Sequence, residues 1–284
     1  MDLTETPQCA DPSTSREGAS VGEPLILRSP EIGARDGVVR LTLNRPQQFN
    51  ALSYEVLAAL ETELAALETD PEARVVVLAG TGRAFCAGHD LREMRAHEDE
   101  AWLRALFDRC SAVMLQIARL PQVVIARVHG IATAAGCQLV AACDLAVASS
   151  EARFATSGIR LGLFCSTPSV PLIMSVGRKA AAEMLFTGDF LSAEQAERIG
   201  LVNRVVPPEA LDEAVAELAA RVARHSGHAL ASGKRLLHEL SGDALAAAYA
   251  SAARNMARDM MSCDARAGID AFNAKRPLPA WQHR

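Results

Sequence analysis

The chain has 284 residues, with 29 Lys and Arg against 34 Asp and Glu, a net charge of −5. That balance argues against a surface built to neutralise a phosphate backbone, and an aromatic share of 4% is too small for a base-stacking platform. Half of the residues are hydrophobic and no apolar run reaches the roughly 18 residues of a membrane span, so a folded globular protein of one or two domains is expected.

Seven cysteines (Cys9, Cys86, Cys110, Cys137, Cys143, Cys165 and Cys263) are scattered without a CxxC pair, which fits free thiols and not a disulfide framework or a zinc site. No HExxH occurs and the histidines do not cluster, so no metal is expected. The first eighteen residues carry Asp2, Glu5, Asp11 and Glu17 against Arg16, unlike a mitochondrial presequence, and lack the apolar centre of a secretory signal. Residues 1–22 therefore read as a mobile tail and the location as cytoplasmic.

From residue 25 onward, short β-rich runs alternate with helical patterns. Residues 25–28 and 38–43 read as strands, and Arg45-Pro46 interrupts the chain. Ser53 caps a helix with Leu57, Leu60, Leu64 and Leu67 on its inner face. A strand at 75–78 is followed by a loop over 84–94 and a helix over 100–120 facing inward through Trp102, Leu106, Val113 and Ile117. Strands follow at 123–128 and 145–148; Thr167 and Pro168 suggest a helix start, and Ser192-Ala-Glu-Gln195 a capping box on a helix that Gly200 ends. This alternation predicts an α/β core with a largely parallel sheet over 23–207, passing into helices over 208–284.

Gly80-Thr-Gly82 opens like a dinucleotide fingerprint, but Phe85 stands where the third glycine belongs and no helix pattern follows. Two other small-residue stretches lie beside predicted strands, Ala84-Phe-Cys-Ala-Gly-His-Asp-Leu91 and His129-Gly-Ile-Ala-Thr-Ala-Ala-Gly-Cys-Gln138. Such residues either let helix and sheet pack closely or bring a ligand against backbone amides.

Together with Asn44-Arg-Pro46, Asn50-Ala-Leu52, Cys143-Asp144, Leu185-Phe-Thr-Gly188 and Ala271-Phe-Asn-Ala-Lys-Arg-Pro277, these stretches resemble the crotonase, or enoyl-CoA hydratase/isomerase, superfamily over about residues 38–277. The loop Gly162-Leu-Phe-Cys-Ser-Thr-Pro168 looks most like the enoyl-CoA hydratase domain-containing subgroup. The resemblance implies a spiral of ββα units, C-terminal helices that drive homotrimers or hexamers, and a role in fatty-acyl metabolism with a coenzyme A thioester as ligand and no other cofactor. It further implies that the backbone N–H groups of His89 and Ala135 form an oxyanion hole. By the same resemblance Arg45, Phe49, Ala87 and His89 hold the adenine end, Cys165 and Ser166 line the acyl pocket, and Phe272 and Lys275 reach coenzyme A, across a subunit boundary.

The family's two hydratase glutamates map to Gln138 and Gly158 here. An amide and a hydrogen atom cannot activate water or protonate carbon, so efficient hydration is not expected. The alternatives are a binding module without turnover, another acyl-CoA chemistry (isomerase, decarboxylase or thioesterase) using Asp90, Glu93 or Cys165, or residual enoyl-CoA hydratase activity.

Overall fold

The structure, a computed structural model, describes residues 23–30, 37–97, 99–239 and 244–281. The expected tail at 1–22, with Cys9, lies outside them. The strands are β1 (Ile26–Pro30), β2 (Val38–Leu43), β3 (Val75–Gly80), β4 (Ala84–Cys86) and β5 (Val123–Val128). They continue with β6 (Ile131–Thr133), β7 (Leu145–Ser149), β8 (Arg153–Ala155), β9 (Leu191–Ser192) and β10 (Arg204–Val206). One sheet has the order β1-β2-β3-β5-β7-β10, parallel from β2 to β10; the other has the order β4-β6-β8-β9.

Each turn of the chain sends a longer strand into the first sheet and a short one into the second, then a helix outward. Thus β3 and β4 lead to α2 (Leu91–Ala96) and α3 (Glu100–Arg119), β5 and β6 to α4 (Ala135–Ala142), and β7 and β8 to α5 (Ser166–Ser175). This is the ββα spiral that the resemblance implies. The remaining helices are α1 (Tyr54–Glu68), between β2 and β3, and α6 (Arg178–Thr187) and α7 (Ala193–Arg198) around β9. The C-terminal helices are α8 (Leu211–Ala223), α9 (Gly227–Glu239), α10 (Ala244–Met260) and α11 (Cys263–Asn273).

Alternation along β3 explains the two-sided core. Val75 and Val77 face α8, where Leu211, Val215 and Ala219 cover them; Val76 and Leu78 belong to the larger core with α1 and α3. Tyr249, Ala253, Met256 and Met260 of α10 join that same larger core, so the C-terminal helices complete the interior of their own chain. Two caps stand as expected: Ser53 Oγ accepts the Val56 N–H, and Ser192 forms a full capping box with Gln195.

Two expected boundaries differ. Residues 84–86 are strand and not loop, because a three-residue strand is too short to show alternation. Helix α5 begins at Ser166, with Cys165 and not Thr167 at the cap position, and Pro168 stands third. Proline is tolerated there because amides of the first turn have no partner within the helix.

Helix α11 rests on the 3-10 turn Ser157–Leu161, and a Cβ on Gly268 would run into the Leu161 carbonyl. Gly268→Ala should therefore cost about 1–3 kcal/mol, a fall in melting temperature of roughly 2–10 °C by thermal denaturation.

Candidate functional site

The two small-residue stretches meet. Leaving β4, the chain passes Leu52 in a parallel bridge between Leu52 and His89. The Leu52 N–H donates to the Gly88 carbonyl at 2.8 Å and the Asp90 N–H to the Leu52 carbonyl at 3.3 Å. Groups of alternate residues point to opposite sides of an extended chain, so the His89 N–H faces away from Leu52.

On that other side α4 begins. Ala134 has φ +50° and ψ −120°, a conformation normally left to glycine, and this strained turn starts the helix at Ala135 with no side chain capping it. Gly88 has φ +90°, and a Cβ on it would lie 2.9 Å from the Ala134 Cβ and 3.2 Å from the Ala135 nitrogen. Gly136 packs against the Cys86 carbonyl with no room for a methyl group. Neither the His89 N–H nor the Ala135 N–H has an acceptor among the described residues. Two adjacent unpaired amides, one at the positive end of a helix, are donors of the kind that could cradle a single oxyanion.

The His89 imidazole lies buried, edge-on to Phe107 with ring centroids 5.2 Å apart, and its Nδ1 is 3.3 Å from the Leu52 carbonyl. A carbonyl only accepts, so Nδ1 carries the proton and Nε2 keeps its lone pair. Burial pushes the imidazole pKa down to about 4, against a smaller opposing effect of the Leu52 carbonyl.

Gln138 is buried one turn into α4. Its Oε1 accepts from the Cys110 thiol at 4.0 Å, and the Tyr249 side chain is a second neighbour. Gly158 opens no space for an acid: a Cβ there would stand 2.6 Å from the Leu163 carbonyl and 2.8 Å from Cys165 Sγ, which accepts the Gly158 N–H at 3.3 Å.

Burial raises the Cys165 thiol to about 11, so it is protonated near neutrality and a poor nucleophile. Asp90 caps α2, accepting the Arg92 and Glu93 N–H groups at 3.1 and 3.3 Å, and pairs with Arg45 at 3.4 Å. Glu93 accepts the Tyr54 N–H at the start of α1, and burial raises its carboxyl pKa. Both acids thus serve helix ends. Asp144 accepts the Val124 N–H at 2.8 Å and pairs with buried Lys234 at 2.6 Å.

Beside the cradle, Arg45 donates to the Ala51 carbonyl at 3.1 Å, and Phe49 is exposed beneath the Arg83 guanidinium. The Ala87 N–H donates to the Phe49 carbonyl at 3.0 Å, joining this loop to the amide pair. Ser166 is buried and accepts from Asn255 at 2.9 Å. Phe272 and Lys275 are exposed at the end of α11, which the Arg95–Asp270 pair holds against α2 of the same chain. Sequence reasoning missed Phe107, Cys110 and Tyr249; only the helical spacing of residues 249, 253, 256 and 260 marks Tyr249, and as a core position. Among the described residues no acidic, His and Cys cluster could hold a metal ion, and no helix is long and apolar enough to cross a membrane.

The sequence profile described as enoyl-CoA hydratase/isomerase matches residues 33–284. The chain belongs to the enoyl-CoA hydratase/isomerase family. It is 38% identical over 272 residues to the rat protein named "Enoyl-CoA hydratase domain-containing protein 3, mitochondrial", covering 96% of this chain and 89% of the rat one. A crystal structure of enoyl-CoA hydratase from Mycobacterium smegmatis has a TM-score of 0.75 at 54% identity, covering 90% of this chain and 99% of that one. The crystal structure of human enoyl coenzyme A hydratase domain-containing protein 3 has a TM-score of 0.73 at 37% identity, covering 90% of this chain and 100% of the human one. The mitochondrial name of the rat relative overturns the expected cytoplasmic location. That expectation rested on acidic residues within 1–22, which lie outside the described residues.

Because His89 is held neutral in the fold, folding stability is complete above its unfolded pKa of 6.5 and falls as the pH drops toward about 4, where the unfolded chain takes the proton first. In urea unfolding measured across that window, the wild type should lose about 3 kcal/mol more than His89→Gln.

Proposed function

We propose that this family member binds acyl-CoA thioesters with the carbonyl oxygen between the His89 and Ala135 amides, and that it does not catalyse efficient enoyl-CoA hydration. The observation that carries this reading is the adjacent, unpaired amide pair, with an amide side chain at 138 and no side chain at 158. Preorganised N–H donors of this kind stabilise an enolate or tetrahedral oxyanion by about 10²–10³ in rate. Hydration also needs a base for water and an acid for the α-carbon, each worth about 10²–10⁴. Asp90 and Glu93, spent on helix ends, offer neither, and the buried Cys165 thiol argues against thioesterase chemistry.

Coenzyme A would be held at its adenine end by the Arg45, Phe49 and Ala87 loop, with Phe272 and Lys275 closing over it. Homotrimers, pairing into hexamers, complete the proposed assembly, and fatty-acyl metabolism is the proposed setting. A crotonyl-CoA hydration assay, paired with calorimetric titration of butyryl-CoA, tests the reading. Binding should be measurable while turnover stays at least about 10³-fold below a family hydratase that carries both glutamates. Turnover comparable to such a hydratase would overturn the loss of hydration, and absence of binding would overturn the acyl-CoA site.

A further inference from the structure

One buried side chain, Asn50, stands between the loop over 45–50 and strand β4. It is 1% exposed and has φ +54°, a left-handed conformation that asparagine adopts more readily than most residues. Its Nδ2 donates to three carbonyl oxygens, those of Thr81 and Ala84 at 2.8 Å and of Phe85 at 3.2 Å. Its Oδ1 accepts the Arg45 N–H at 2.9 Å. Carbonyls only accept and a peptide N–H only donates, so these contacts fix which way the amide points. A Cβ on Gly80 would stand 2.8 Å from this Nδ2, so the neighbouring strand leaves room for Asn50 by carrying no side chain there.

The same contacts close the turn on itself and fasten it to the next segment. The Arg45 carbonyl accepts the Gln48 N–H at 3.0 Å and the Asn50 N–H at 2.9 Å, while the Arg45 guanidinium turns to the Ala51 carbonyl and Asp90. Phe49 is left 43% exposed. Strand β4 is held without Asn50: Ala84 and Cys86 pair with Ile131 and Ala132 of β6, and Gly136 packs on the Cys86 carbonyl. Loss of the Asn50 amide therefore loosens the loop over 45–50 and leaves the His89 and Ala135 amides in place.

We propose that Asn50 is a positioning residue that touches no ligand and holds the 45–50 loop in its binding conformation before coenzyme A arrives. This rests on the acyl-CoA reading above, in which that loop takes the adenine end. A preformed loop spares the complex the cost of ordering it, and a ligand held at both ends gains from the second contact only when the two are correctly spaced. The effect is confined to ligands that reach the loop. A thioester that ends at pantetheine meets the amide pair alone.

Calorimetric titration of the full chain with butyryl-CoA and butyryl-pantetheine tests it, in the wild type, Asn50→Gly and Asn50→Asp. Glycine keeps the positive φ without the side chain, and aspartate keeps the Arg45 contact but loses the donors. The wild type should bind both ligands, butyryl-CoA the more tightly. In either folded variant butyryl-CoA should weaken about tenfold or more, and butyryl-pantetheine by less than about twofold. Hydrogen exchange of the wild type needs no variant: the Phe49 and Asn50 amides, bonded to the Pro46 and Arg45 carbonyls, should be protected before any ligand is added. Equal weakening of both ligands, or butyryl-CoA binding unchanged, overturns the role of Asn50 and leaves the acyl-CoA site standing. So does a wild type that binds butyryl-pantetheine equally well or not at all, or protection gained only with butyryl-CoA bound. No binding of butyryl-CoA to the wild type overturns both.

Discussion

The geometry of the site depends on backbone packed against backbone where β4 meets the start of α4. Gly136 lies on the Cys86 carbonyl, and Gly88 lies on Ala134 and the Ala135 nitrogen; neither place admits a Cβ without displacement. That approach holds two peptide N–H groups side by side, while Ala134 accepts an unfavourable φ to turn the chain between β6 and the helix. The proposed oxyanion cradle needs only main chain, so it places no demand on the side chains around it.

Hydration would draw on side chains at 138 and 158, where this chain carries a glutamine and a glycine. At 158 the absence of a side chain is built into the surroundings: Leu163 and Cys165 occupy the space, and the thiol accepts the Gly158 N–H. At 138 the glutamine is integrated into a buried polar contact with Cys110 and Tyr249. The local packing is therefore built around this glutamine and this glycine themselves.

Much of the architecture was legible in the sequence. Short β-rich, apolar runs marked β2, β3, β5 and β7, and side-chain caps marked α1 and α7, because these signals are local. The short strands β4, β6, β8 and β9 carry too few residues for a pattern, so the second sheet stayed hidden until its pairing was seen. Small residues flagged the two segments that meet at the start of α4, and the family resemblance pointed to their amides as the proposed oxyanion donors. The close packing at Gly88, the inert environment of Cys165 and the service of Asp90 and Glu93 at helix ends are tertiary facts without a local signature.

A crystal structure of the protein with butyryl-CoA tests the central claim most directly. The account predicts the thioester oxygen at about 2.7–3.1 Å from both the His89 and Ala135 nitrogens, with no carboxylate in reach of the α- or β-carbon. An oxygen bound away from those two nitrogens, or an Asp or Glu side chain seated against either carbon, would contradict it.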